Sequence, residues 1–493
     1  MVAPEREEDT GTNTERRFKE PFVRILDYDN IDTCCSHCFY PSQSLKRCSQ
    51  CQFVRYCSTQ CQKFAWPEHK LECQSLAARA ASGSRELPPK ELLFFVRLLS
   101  MLTHKRASQK RTIRKADVIL ERDWSSLKDH LAEIQCDPKR QQYFSLLFKG
   151  LHEFIPSGTV SGSSQNHVLP NDDNQLWSIY GKKIINSHTI SNNRGTPLGS
   201  GIDFALSAYD HSCWPNVGIS SDGATMVFRS LDGTDINDTS SCFLNYIELS
   251  VPRHVRRKQL REKYYFDCNC IRCDSHSDSE LTGIKCQSPE CHGATIICEA
   301  WPSIENIECE KCHKTMSDSS FEKLSTFISN TSRMLEDSFD NNAQSTVDLN
   351  ALSKTIETGR VCLHGSNIIL FDAYSLFIQS AFVQKRFIDR VPDYGRAALP
   401  ALDICYPRYF KSRAFHLLKI AYACVLGGHF EESKPFIDEG LDIFSVCLGV
   451  EHDYYRQILD LKRELPSQQK ANRMDKRTRG VLINQLIKYF KFQ

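Results

Sequence analysis

Between about residues 76 and 155, apolar side chains recur at intervals of three and four with few breaking residues, which predicts helices. Residues 1–34 begin polar and become strand-like at 21–26, PFVRIL. The Ser/Gly/Asn/Asp-rich run SGTVSGSSQNHVLPNDDNQ, 157–175, reads as a loop. Residues 176–250 combine a helix at 176–185 with short β-prone runs such as 226–229 and 242–247. Beyond about 320 the pattern is helical almost throughout. There, Lys411–Leu426 and Phe430–Cys447 flank Gly427-Gly428, and Leu417, Leu418, Ala421, Cys424 and Val425 line one face of the first helix. The pair has the length of a tetratricopeptide unit, which supports helix packing and only weakly a ligand groove.

A chain of 493 residues suits several domains, and its formal charge of +2 excludes a whole-molecule electrostatic nucleic-acid binder. The most apolar stretch, LLFFVRLLSML from Leu92, is interrupted by Arg97 and is too short to span a bilayer. The polar, charged start MVAPEREEDTGTNTERR is not a signal peptide. Most of the twenty-three cysteines fall in short metal-type pairs, so a reducing compartment is expected, cytoplasmic and nuclear. Lys476, Arg477 and Arg479 in the tail from Lys470 read as a solvated helix face in preference to a nuclear signal. A monomer without membrane attachment is expected.

The chemistry concentrates in cysteines. Cys35, Cys38, Cys48, Cys51, Cys57, Cys61, His69 and Cys73 lie within thirty-nine residues. Zinc takes four soft or borderline ligands in a tetrahedron, so eight ligands imply two closed sites rather than a cluster of free thiols. The first two pairs read as knuckle turns, and the last two, four residues apart, as partners on one face of a short helix. Cys34 competes as first ligand, but only Cys35 gives a two-residue gap to Cys38. Spacing leaves the pairing between the sites open. Further on, Cys268-x-Cys270-x2-Cys273 is one ligand short, and Cys213 is the natural fourth, the alternative being a merely buried thiol. Cys286-x4-Cys291, seventeen residues, then Cys309-x2-Cys312 has zinc-ribbon spacing, with Cys298 and His313 as spare candidates. Three zinc ions are expected, with a fourth at this last group.

The first motif, continuing as RYCSTQCQKFAWPEHKLEC, resembles the MYND finger. The resemblance implies interleaved pairs: Cys35, Cys38, Cys57 and Cys61 on one zinc, Cys48, Cys51, His69 and Cys73 on the other. It also implies an interaction module for a proline-containing peptide. The order MYND, Asp210-His-Ser-Cys-Trp-Pro-Asn216, Tyr246, RRKQL at 256–260 and CxCxxC resembles the SMYD family of SET-domain lysine methyltransferases over roughly residues 20–460. This implies an α+β SET core, split by the finger and a helical insert, and an all-helical tetratricopeptide-like C-terminal domain. The implied segments are 1–34 N-terminal SET portion, 35–75 finger, 76–175 helical insert and loop, and 176–250 SET core. They continue as 251–275 post-SET zinc cluster, 276–318 zinc-ribbon-like insert, 319–465 helical domain and 466–493 basic tail.

By the same resemblance, S-adenosylmethionine and a lysine of a protein substrate, histone or other, meet in a narrow channel. Tyr246 takes the place of the active-site tyrosine and Tyr264 that of a second channel tyrosine. Asn186, Ser187, Asp210, His211 and Tyr246 match cofactor contacts, and Phe266 matches the aromatic on adenine. Tyr264 and Phe266 also fit a packed core. Three departures stand out. None of the thirty-four residues before Cys35 reads G-x-G, Gly11-Thr-Asn being the nearest. Asp210 stands where the family has asparagine, and an ionised carboxylate cannot donate an amide's hydrogen bonds. Thr239-Ser240-Ser241 replaces the family's Gly-Glu-Glu. They keep open the alternative of a non-catalytic adaptor that binds partners through its finger and helical domain.

Overall fold

The computed structural model describes residues 13–83, 87–104, 108–155, 170, 172–192, 195–275, 278–286, 288, 290–291, 295–296, 308–340, 343–486 and 488. Gly11, Cys298 and most of the 157–175 loop lie outside these. The fold is α+β and divides into two compact units. Unit one holds residues 1–210, 219–243 and 263–265; unit two holds 211–218, 244–262 and 266–493.

In unit one the order runs β1 (Glu15–Phe18), β2 (Val23–Leu26), β3 (Lys46–Arg47), β4 (Arg55–Tyr56), α1 (Thr59–Ala81) and α2 (Lys90–Leu102). Next come β5 (Arg111–Lys115), β6 (Val118–Arg122), α3 (Leu131–Cys136), α4 (Pro138–Phe154) and α5 (Asp173–Asn186). The last strands are β7 (His188–Ser191), β8 (Pro197–Ile202), β9 (Asp210–His211) and β10 (Val217–Asp222), whose residues are divided between the two units, and β11 (Thr225–Ser230). Two three-stranded sheets form, β1-β11-β10 and β2-β8-β7. β2, the strand expected within 21–26, is wholly buried and runs antiparallel to β8 from Val23↔Ile202 to Leu26↔Gly199. Glycine is required at 199, because a Cβ there would sit 2.1 Å from the Ile25 carbonyl oxygen.

Two expectations need correction. The segment 76–155 is not helical throughout: Arg111–Lys115 and Val118–Arg122 form an antiparallel hairpin, with Ala116 left-handed at φ 52° in its turn. Thr112, Ile113, Val118 and Ile119 are β-branched, which favours strand over helix. Nor is the finger's helix short. α1 spans 23 residues and carries His69 and Cys73, whereas Cys57 precedes it. Ser58 caps it, its Oγ accepting the Cys61 N–H at 3.1 Å.

Unit two contains β12 (Phe243–Leu244) at its edge, α6 (Arg253–Tyr264), α7 (Ile271–Asp274), β13 (Ile284–Lys285) and β14 (Thr295–Ile296). The helical lobe follows: α8 (Asp318–Asp340), α9 (Leu349–Cys362), α10 (Ile368–Gln384), α11 (Val391–Ala397), α12 (Leu399–Cys405) and α13 (Lys411–Leu426). It ends with α14 (Phe430–Cys447), α15 (Asp453–Glu464), α16 (Gln468–Arg473) and α17 (Lys476–Leu486). α13 and α14 have the bounds that periodicity predicts, and Leu417, Leu418, Ala421, Cys424 and Val425 are all buried. Gly428, at φ 75°, supplies the left-handed turn between them. Among the described residues no helix is long and apolar enough to cross a membrane.

Candidate functional site

The cysteines assemble into four groups: Cys35, Cys38, Cys57 and Cys61; Cys48, Cys51, His69 and Cys73; Cys213, Cys268, Cys270 and Cys273; Cys286, Cys291, Cys309 and Cys312. Within each, the ligand atoms all lie within 4.8 Å of one another. Bonds of about 2.3 Å to a tetrahedral zinc place sulfurs about 3.8 Å apart, whereas a disulfide needs about 2.05 Å. The separations Cys38–Cys57, 3.7 Å, Cys48–Cys73, 3.7 Å, and Cys213–Cys268, 3.9 Å, fit the metal. The interleaved arrangement of the finger is therefore present. Cys34 is buried but stands outside the group. His313, a spare candidate for the last group, is not in it either: its side chain is exposed and its Nδ1 faces Glu308 at 2.8 Å.

Buried charges surround two of these groups. His69 Nδ1 meets Glu72 Oε1 at 2.6 Å, and the Arg97 guanidinium donates to both Glu72 oxygens at 2.7 and 2.8 Å. A metal on Nε2 therefore leaves Nδ1–H to the carboxylate, which fixes tautomer and ring orientation. Burial alone would raise the Glu72 pKa; Arg97 and His69 outweigh it and hold the carboxyl below its ordinary value. In unit two, four thiolates on zinc form a dianion. The Arg256 guanidinium lies 3.8 Å from Cys273 Sγ and pairs with Asp278 at 2.6 Å. Arg272 donates to the carbonyls of Leu249, 3.0 Å, and Cys405, 2.9 Å, tying this cluster to the end of α12. Motif reading missed Arg97, Glu72, Arg272 and Asp278 as supporting residues. The signal for Arg97 was a cation inside an apolar helix, which demands a buried partner.

Of the expected site residues in unit two, His211, Tyr246 and Phe266 come together. The Tyr246 N–H donates to His211 Nδ1 at 3.0 Å, and His211 Nε2 lies 3.3 Å from Cys213 Sγ. The rings of Tyr246 and Phe266 stand 5.3 and 6.0 Å from the imidazole. Burial pushes the His211 pKa down to about 4, so the ring is neutral. Asn186, Ser187, Asp210 and Tyr264 belong to unit one. Asn186 ends α5, where its amide donates to Lys128 O at 2.9 Å and Lys182 O at 2.8 Å. That leaves Oδ1 as its acceptor. Ser187 Oγ donates to the Lys183 carbonyl. Asp210 is exposed, and Tyr264 is half-buried with its phenol pKa raised by burial.

A family model described as MYND finger matches residues 35–73. Histone-lysine N-methyltransferase SMYD3 of Homo sapiens is 26% identical over 440 residues, 89% of this chain and 89% of that protein. Histone-lysine N-methyltransferase ASHR1 of Arabidopsis thaliana is 23% identical over 450 residues, 89% of this chain and 88% of that one. The Mus musculus SMYD3 is 30% identical over 251 residues, 50% of this chain and about half, 54%, of that protein. The chain is thus similar to SMYD proteins over most of its length and carries a MYND finger at residues 35–73. Relatives in the SMYD family bear names of lysine methyltransferases. Against the SMYD pattern, the replaced Gly-Glu-Glu segment has its own structure here. Asp238 Oδ1 accepts the Ser240 N–H and Oγ–H at 2.9 and 2.7 Å, and the Thr239 hydroxyl donates to Arg114 O at 2.9 Å. These bonds hold the turn ahead of β12.

Proposed function

We propose that this chain is a protein-lysine N-methyltransferase that uses S-adenosylmethionine. The observation that carries the reading is the grouping of Tyr246 and Phe266 around a buried His211 anchored beside Cys213. When bound, S-adenosylmethionine supplies an electrophilic methyl group on a sulfonium. The half-buried Phe266 ring and the imidazole offer apolar faces to a heteroaromatic base. Asp210 and Asn186 are assigned to the cofactor on the family resemblance alone. Tyr246, its backbone fixed by His211, directs its hydroxyl to orient the lysine amine. Tyr264 stays a phenol because burial opposes its ionisation. A desolvated channel favours the neutral amine, which alone is nucleophilic.

The test is calorimetric titration of the zinc-loaded protein with S-adenosylhomocysteine. One-to-one binding is expected, and Tyr246→Phe should lower turnover by about tenfold or more while leaving affinity nearly unchanged. Unchanged turnover sinks the role of Tyr246. Absence of binding favours the adaptor reading, in which the finger takes a proline-containing peptide. Exposed Tyr40, Phe64 and Trp66 on the finger support such a partner.

A further inference from the structure

We infer that Cys286, Cys291, Cys309 and Cys312 hold a structural zinc ion that closes the base of the helical lobe. The inference goes beyond the methyltransferase reading and does not depend on it. Cys286–Cys312 and Cys291–Cys309 are each 3.7 Å apart, the edge length of a zinc tetrathiolate and far from disulfide bonding. Four sulfurs with no oxygen ligand select zinc over calcium or magnesium.

The backbone supplies a second, independent observation. In the finger's first knuckle, Phe39, four residues after Cys35, is left-handed at φ 62° and its N–H donates to Cys35 O at 2.9 Å. The Cys35 N–H closes the turn on Tyr40 O at 3.0 Å. At Cys309 the same construction recurs with the same offsets. His313 is left-handed at φ 57° and its N–H donates to Cys309 O at 2.9 Å, while the Cys309 N–H donates to Lys314 O at 3.0 Å. A non-glycine residue in this conformation is uncommon, and here it turns two sulfurs toward one point. On the opposite side, the Ser288 N–H points to Cys286 Sγ at 3.5 Å, which favours the thiolate.

Packing shows what the metal would hold. Cys291 and Cys309 are buried in the same apolar cluster as Leu324 and Ile328 of α8, Ile356 of α9, and Leu363. β13 is bound to that cluster: Ile284 bridges Leu363, and Asn367 Nδ2 donates to Gly283 O at 2.7 Å. The metal would thus fasten β13 to the knuckle that leads into α8. Without it, four thiols would crowd the floor of the lobe's core.

Metal content of the full-length protein, purified under reducing conditions, decides the matter. Elemental analysis should find four zinc ions per chain, falling to three in Cys312→Ser, whose helical lobe should melt at lower temperature. Cys312→His keeps a ligand and should retain four ions with a near-native melt. Should Cys312→Ser prove insoluble, Cys286→Ser takes its place: three ions sustain the assignment and four overturn it. Three or fewer ions in the unaltered protein, or four in Cys312→Ser, overturn it as well.

Discussion

Arg97 shows what a single residue does in this fold. It interrupts an otherwise apolar helix, is 5% exposed, and gives its guanidinium to Glu72 and to the Arg24 carbonyl at 2.9 Å. Glu72 in turn orients the zinc ligand His69. Removing one partner of a buried pair leaves an uncompensated charge, so Arg97→Met should cost about 3–5 kcal/mol in urea unfolding. Pairing it with Glu72→Gln should recover part of that loss. Because His69 loses its oriented carboxylate, zinc in the second group should also yield to a chelator about 10–100-fold more readily. A melt of Arg97→Met within about 1 kcal/mol of the unaltered protein sinks the coupling. The metal ligands were legible because spacing along the chain encodes them. Glu72, twenty-five residues before Arg97, was not: a glutamate among His69, Lys70 and Leu71 has no local mark distinguishing a buried ion from a solvated one.

Elements were legible where periodicity and burial agree. α13 and α14 face a core with an apolar stripe, so their bounds could be read. β6 could not, because Val118, Ile119 and Leu120 are all exposed and the inward–outward alternation of a strand is missing. Side-chain pattern also conceals how the turn between β10 and β11 meets the finger. Gly223 there is left-handed at φ 59°, and a Cβ would stand 2.5 Å from Cys38 O and 2.8 Å from the Tyr40 ring. The neighbouring Ala224 N–H donates to Cys38 O at 2.8 Å. Gly223→Ala therefore combines an unfavourable backbone conformation with a clash against a knuckle, at a cost of about 1–3 kcal/mol. Since Cys38 carries a ligand, zinc in the first group should be held less tightly, while the second group is unaffected. A chelator competition that shows both groups weakened equally, or neither, would count against this contact as the cause.

Across the molecule, each unit contains two of the four thiolate groups, so metal supports both. Their burial differs. In the first group Cys38, Cys57 and Cys61 are half-buried, and in the fourth Cys286 and Cys312 are; in the second all four ligands are buried, and in the third only Cys270 is not. Thiol reagents attack accessible thiolates, whereas buried ones react only after local opening. Zinc release from the full-length protein under a thiol reagent should therefore be biphasic, with two ions lost quickly and two slowly. The slow phase should accelerate in urea, since opening limits it, and the fast phase should respond much less. Loss of all ions in one phase would mean that each unit opens as a whole and that local burial does not govern access. The order can be assigned independently: Arg97→Met should speed one slow ion without altering the fast pair, because it loosens only the group built around His69.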